Sequence, residues 1–509
     1  MVRARGGGCN SKTMHTFATV PAPQLIVVSN REPVTDNWQA DGSIARTHAC
    51  SGLVHAVEPL LLAKGGVWIA HGSGTADRET ATEHHGLSVP SDDPRYRLRR
   101  VWLNAEDYTG YYEGFANEAL WPLCHRAHVK PIFRAADFNK YWSVNAQFAA
   151  TVVDEAEVDS PTVLVQDYQL ALAPAMIREL LPHAEVVAFW HIPWPDAATF
   201  QTCPWAAHLL DGLLGSSCVG FQTAADRNNF LTCVEQMLDS HVDRIGHTVS
   251  YGGRIISVSV YPASVSWCDG QDRVPIADCR RELRELLGVM PDAPLGIGVD
   301  RLDFTKGIEE KFLAVERLLD NYPRLAGSFV FVQVAEPSRQ ALPAYVDLRR
   351  RVHETARRIN ERFGTTSYCP ILLLEQQHPA ADVSRLMRAA DVCYVGSLHD
   401  GMNLVAKEFV RERDDERGVL LLSAFAGAAT ELPDAVIVNP YDIEGVSHAL
   451  AHALEMDPAD QGARLRRMRH AVEHADAVAW GARIRRDWAR RQGRIRATPD
   501  QTMMPLRTA

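Results

Sequence analysis

The chain has 509 residues, 46% of them hydrophobic and 23% charged, which is more than one hydrophobic core sustains. Two α/β-sized units with a cleft between them are therefore expected. The formal net charge of −10 supplies no basic field for a nucleic-acid backbone, so nucleic acid is excluded as an expected partner.

Residues 1–23 carry basic residues and glycines without an apolar stretch of signal-peptide length, and read as a loose N-terminal extension. Short apolar runs then alternate with longer helical patterns: Leu25–Val28, Val67–Ile69, Thr162–Val165, Val186–Phe189 and Cys218–Phe221. Each reads as a buried strand of a parallel sheet wrapped by helices, the α/β class. The pattern pauses around the prolines Pro262, Pro275 and Pro291, which puts a boundary within 263–290. It resumes with Leu295–Val299, Phe329–Val332, Ile371–Leu374, Val392–Val395, Val419–Leu422 and Val436–Val438. The expected division is 24–265 and 266–456, then a closing helix over 457–494 anchored by Trp480 and Trp488 and packed back on the first unit. Residues 495–509 read as a flexible tail. No run of about 18 or more apolar residues occurs, so no membrane partner is expected. Ten cysteines without a C-x-x-C pair read as reduced thiols of a cytoplasmic protein.

Polar residues follow several of these strands, where open parallel sheets place their ligand crevices. Ser29-Asn30-Arg31 follows the first run, Gln166-Asp167-Tyr168 the third, and His191-Ile192-Pro193 the fourth. Asp300-Arg301-Leu302-Asp303-Phe304-Thr305-Lys306-Gly307 opens the second unit's first crossover. Taken singly, Arg301 and Lys306 fit solvated loop charges, His191 a core histidine and Asp167 a helix cap. Taken together, the two cations can carry the charge of a pyrophosphate leaving group. Gly52, at a helix start, lets backbone approach a phosphate. In Leu398-His399-Asp400-Gly401-Met402-Asn403-Leu404-Val405-Ala406-Lys407-Glu408, a loop ending in Asp-Gly runs into a helical segment bearing a carboxylate at each end. A helix start can hold a phosphate and carboxylates can grip sugar hydroxyls, so the stretch suits a nucleotide sugar as well as it suits a plain capped helix.

These motifs, with Tyr111-Tyr112-Glu113-Gly114-Phe115-Ala116-Asn117, Leu120-Trp121-Pro122, Gly220-Phe221-Gln222-Thr223, Ser423-Ala424-Phe425-Ala426-Gly427 and Asn439-Pro440-Tyr441-Asp442, occur in order from about residue 25 to 490. The chain so read resembles the trehalose-6-phosphate synthases of glycosyltransferase family 20. The resemblance implies a GT-B architecture, two Rossmann-like domains facing across a cleft. It implies retaining transfer of glucose from UDP-glucose to glucose 6-phosphate, with UDP released and neither a cofactor nor a metal. Arg301 and Lys306 would neutralise the donor pyrophosphate, and Asp400 with Gly401, Met402 and Asn403 would hold the transferred glucose beside His191. Leu404 and Val405 would complete the donor wall, Glu408 would bind the ribose, and Gly52 would let its loop close on the phosphates. Arg31 and Arg339 would take the acceptor phosphate, with Tyr112, Trp121 and Asp167 completing that side.

The chain departs from the family pattern at His71, where many members have tryptophan, at Gln166 and Gln169, each a common histidine, and at His399, a common arginine. None of these removes a residue named above. A sister transferase with another acceptor, such as glycerol 3-phosphate or a cyclitol, stays open, as does a sugar-phosphate-binding regulator without catalysis. A homo-oligomer also stays open. A nicotinamide dehydrogenase is excluded, because no G-x-G-x-x-G follows Val28.

Overall fold

The computed structural model describes residues 24–48, 52–82, 86–127, 129–267, 273–288, 290, 293–477, 479–484 and 486–487. The N-terminal extension over 1–23, the tail over 495–509 and Trp488 lie outside these residues. Every apolar run singled out above coincides with a strand, Phe329 standing one residue ahead of Val330–Glu336; most are buried on both faces, while the outer runs Ile371–Leu374 and Val436–Val438 are partly exposed.

The first sheet has ten strands. Its parallel centre runs, in spatial order, Arg254–Val260, Cys218–Phe221, Glu185–Trp190, Thr162–Gln166, Leu25–Ser29, Val67–His71 and Tyr96–Val101. The direction of travel through the sheet reverses between Leu25–Ser29 and Thr162–Gln166, which pair in register Val27↔Leu164. Antiparallel strands finish both edges. On one side the two glycines Gly252 and Gly253, both at positive φ, turn Thr248–Tyr251 back along Arg254–Val260. A separate hairpin, Val34–Trp38 with Ile44–His48, follows the first strand.

The second sheet has six parallel strands in the order Ile371–Leu374, Val330–Glu336, Leu295–Arg301, Val392–Val395, Val419–Ser423, Val436–Val438. In chain order this is 3-2-1-4-5-6, the doubly wound arrangement, and its reversal lies between Leu295–Arg301 and Val392–Val395. One buried apolar cluster contains residues of both units, so the two halves are packed together. Among the described residues, no helix is long and apolar enough to cross a membrane.

The single closing helix expected over 457–494 is instead broken. Pro458–His474 packs on the second unit through Leu465, Met468 and Val472. The chain then turns, because the Asp476 carboxylate accepts the Ala479 N–H at 2.8 Å and so caps a new helical start. That second stretch puts Trp480 and Ile484 into the first unit's core beside Val27, Trp68 and Phe189. The Trp480 indole donates to the Tyr261 carbonyl at 2.9 Å, and the Ala477 N–H to that of Val265 at 3.1 Å. The returning chain is therefore bonded to the outgoing one.

Candidate active site between the two sheets

Both reversals open onto the same cleft, so the loops that follow strand ends face each other there. The main cavity, about 550 Å³, is lined by Arg31, Trp121, Asp167 and His191 from the first unit and by Arg301, Lys306, Asp400, Met402, Asn403, Leu404, Val405 and Glu408 from the second. A neighbouring cavity of about 300 Å³ is lined by Tyr108, Tyr112 and Arg339 and shares Arg31, Arg301 and Glu336 with the first. The two form one continuous site.

On the second unit's wall, Lys306 follows the strand Leu295–Arg301 and Asp400 follows Val392–Val395, on either side of the reversal. They form an ion pair, with both side chains about 12–13% exposed. Asp400 also accepts from Ser397 Oγ and Asn403 Nδ2, each at 3.1 Å. Burial alone would raise the Asp400 carboxyl, but Lys306, then His125 and the Asn403 amide, hold it below the usual carboxylate range. The loop is clamped from behind by the Ser423–Gly427 motif: Asp400 N–H donates to the Phe425 carbonyl and Gly427 N–H to that of Asp400. Asn403, at φ 69°, starts the helix Leu404–Glu412 and caps it by accepting the Ala406 N–H at 3.4 Å. The helix start so directs its partial positive charge into the cavity. Further along, burial raises the Glu408 carboxyl against the opposing Arg411.

On the first unit's wall, Asp167 sits at φ 73° just past the strand Thr162–Gln166. Its Oδ1 accepts the His191 N–H at 3.2 Å, while Gln166 Oε1 accepts from His191 Nε2 at 2.9 Å. The ring's Nδ1 is then left as an acceptor. Burial pushes His191 down to about 3, so the imidazole is neutral, and lifts Asp167 to about 6 against its two backbone hydrogen bonds and the cations Arg301 and Arg339. Tyr112 lies in a π-helix, Thr109–Leu120, with Tyr108 stacked on it at 5.1 Å and His71 against Tyr108 at 5.3 Å. Burial would raise the Tyr112 phenol, yet Arg339, Arg31 and Arg301 together bring it below its usual value. Three guanidinium groups therefore converge on the smaller cavity.

Asp303 ties the two walls together. It accepts from Arg339 at 2.7 Å, from Tyr345 Oη at 3.1 Å and, across the cleft, from the Trp121 indole at 3.3 Å. Burial opposes its charge, but Arg339 and Arg301 keep it ionised far below the usual range. Arg339 in turn stacks on the Trp121 ring at 4.1 Å. Gly401 brings the halves into close backbone approach: a Cβ there would lie 2.2 Å from the His191 carbonyl oxygen, so no other residue fits.

All the side chains expected at the site are brought together in these two cavities. Gly401 lies on the backbone between them, and Gly52 begins the helix Gly52–Lys64, whose Leu53 lines the cleft. Sequence reasoning assigned no role to Asp303, Glu336, Asp300, Gln222, His378 or Arg411, which also line or brace it. Three of the six described non-glycine residues at positive φ, namely Asp167, Arg339 and Asn403, are at the site.

Two doubly wound sheets facing across a cleft built from both reversal points, with cations and a helix start at its centre, define a GT-B glycosyltransferase. The family described as Glycosyltransferase family 20 matches residues 23–490, and the chain belongs to it. Its relatives include the trehalose-6-phosphate synthase of Mycobacterium avium (strain 104), 37% identical over 94% of this chain and 96% of the relative. An E. coli trehalose-6-phosphate structure bound with UDP-2-fluoro glucose superposes at a TM-score of 0.80 with 30% identity, covering 91% of this chain and 98% of that one. The α,α-trehalose-phosphate synthase (UDP-forming) of Burkholderia xenovorans in complex with glucose-6-phosphate superposes at 0.79 with 32% identity, covering 91% and 99%.

Proposed function

We propose that this chain is a retaining glucosyltransferase that moves glucose from UDP-glucose to glucose 6-phosphate, giving α,α-trehalose 6-phosphate and UDP. The observation that carries the reading is one continuous site with Arg301 and Lys306 beside Asp400 at its centre and a three-arginine cavity at one end. Relatives that carry the synthase name, and neighbours bound with a UDP-glucose analogue or with glucose-6-phosphate, support it.

The donor lies along the second unit. The start of the helix Leu404–Glu412 meets the diphosphate, Glu408 takes the ribose hydroxyls, and Asp400 with the backbone of Gly401, Met402 and Asn403 grips the glucose. His191 presents its Nδ1 acceptor to a glucose hydroxyl, and Gly52 leaves room for its loop beside the phosphates. The acceptor phosphate sits between Arg31 and Arg339, whose planar forks match phosphate oxygens, with Tyr112, Trp121 and Asp167 holding the sugar. Transfer proceeds on one face of the donor glucose. The acceptor's anomeric oxygen bonds to the donor's anomeric carbon as the bond to UDP breaks, and the acceptor proton passes to the departing phosphate oxygen. Arg301 and Lys306 stabilise the charge that grows on UDP, and no metal is assigned a part. A cytoplasmic location is part of the proposal, and free cysteines among the described residues suit a reducing compartment. Residues 24–265 form the acceptor domain and 266–456 the donor domain.

UDP release from UDP-glucose is to be measured with glucose 6-phosphate, with glycerol 3-phosphate and without acceptor, and the product identified. Release with glucose 6-phosphate alone, and a non-reducing disaccharide phosphate, is expected. Release only with glycerol 3-phosphate overturns the acceptor assignment and directs attention to His71, which backs Tyr108.

A further inference from the structure

His399 stands directly before Asp400, in the loop between the strand Val392–Val395 and the helix Leu404–Glu412. Its Nδ1 donates across the cleft to the backbone carbonyl of His125 at 2.6 Å, and the two imidazoles meet edge to face at 6.4 Å. The acceptor is a helix-end carbonyl: Trp121–His125 stops where Arg126 turns left-handed at φ 47°, which leaves its last carbonyls without intrahelical partners. The same short helix carries Trp121, whose indole reaches Asp303 and whose ring underlies Arg339. Two residues past His399, the Gly401 backbone abuts the His191 carbonyl. The loop that carries Asp400 is therefore held against the first unit on both sides of that residue, by a hydrogen bond before it and a backbone contact after it.

We propose that His399 is a positioning residue. Its hydrogen bond to the His125 carbonyl fixes Asp400, and through it Lys306, against the helix that carries Trp121. Donor and acceptor walls are thereby kept in register at the reacting carbon. Burial lowers the imidazole below its ordinary range against the pull of the His125 carbonyl, with Arg126 and Asp400 the charges that face it. Either charge state of the ring retains an Nδ1–H, so the bond does not depend on the proton. For its kinetic readout the inference rests on the glucosyl-transfer reading above.

The test compares His399→Asn, whose side-chain amide nitrogen falls where Nδ1 lies, with His399→Leu, which keeps the branching and removes the donor. His399→Leu is expected to lower kcat roughly five- to tenfold, the scale of one hydrogen bond, with unchanged affinity for UDP alone and unchanged melting temperature. His399→Asn should restore kcat to within about twofold of the starting enzyme. Wild-type kcat in His399→Leu, or an equal loss in both variants, overturns the proposal. Small-angle scattering of the three proteins saturated with UDP decides it without turnover: His399→Leu alone should be more open, and three identical profiles refute it. A wild-type chain that closes on UDP but transfers no glucose would fail the function and leave this scattering comparison decisive for the bridge.

Discussion

Lys306 and Asp400 form an ion pair, so in the proposed role a donor diphosphate would compete for Lys306 with a carboxylate that also accepts from Ser397 and Asn403. Lys306→Ala and Arg301→Ala should each lower kcat by about 10²–10³, the cost of removing one preorganised charge from a developing anion. Initial rates of UDP release test this, and circular dichroism should show the fold retained. Asp167 offers a pH signature. Its carboxyl, raised from 3.8 to about 6, binds its proton more tightly in the folded than in the unfolded chain. The stability it contributes is fully present below pH 3.8 and is lost as pH rises through about 6. Asp167→Asn should flatten that part of a melting-temperature profile, and above it should lower kcat/KM for the acceptor by roughly tenfold or more, the worth of a charged hydrogen bond. Arg31, Asp167, His191 and Arg301 were legible in the sequence because each stands at or just past an apolar run, whereas Tyr112 and Trp121, set within helices, were reached only through the family resemblance. Asp303 was quoted but given no role, since its partners Trp121 and Arg339 lie 182 and 36 residues away and meet only in the fold.

At the scale of elements, the parallel strands of the second sheet announced themselves as apolar runs, its edges included, but the hairpin after the first strand did not. Val34–Trp38 alternates in burial, Ile44–His48 is largely exposed, and both carry charges, although Asp41-Gly42 between them, with Gly42 at φ 80°, is a turn that could have revealed the hairpin. The π-helix that presents Tyr112, against which Ala135–Glu155 packs, has no signature in residue spacing. The broken C-terminal helix was readable only at Asp476, one capping residue in an Arg- and Ala-rich stretch. Its second piece matters for stability: Trp480 is 2% exposed, touches Phe189 and bonds to Tyr261. Trp480→Ala should cost about 3–5 kcal/mol in a urea titration, the range for emptying a buried aromatic site.

Across the whole molecule, the contacts that span the cleft include the close backbone approach of Gly401 to His191. Gly401→Ala should leave UDP binding on the second unit intact while holding the halves apart. Turnover is then expected to fall by about 100-fold, as for reacting groups displaced by an ångström. Isothermal titration with UDP alongside steady-state kinetics separates the two effects; equal losses in both would show that the loop itself had collapsed. The two-unit plan followed from length and from the interrupted strand pattern, whereas the pairing of the two reversal points across one cleft did not. That pairing depends on a connection made twice, by the chain going out near Tyr261 and by the chain coming back at Trp480.

During synthesis the first unit emerges from the ribosome with a vacancy where Trp480 and Ile484 belong. The usual order, in which an N-terminal half completes itself before its successor is made, is therefore closed to this polypeptide. The second sheet, built from residues 295–438, is contiguous in sequence and can finish first, and the stretch bearing Trp480 and Ile484, made later, then completes the core of the first unit.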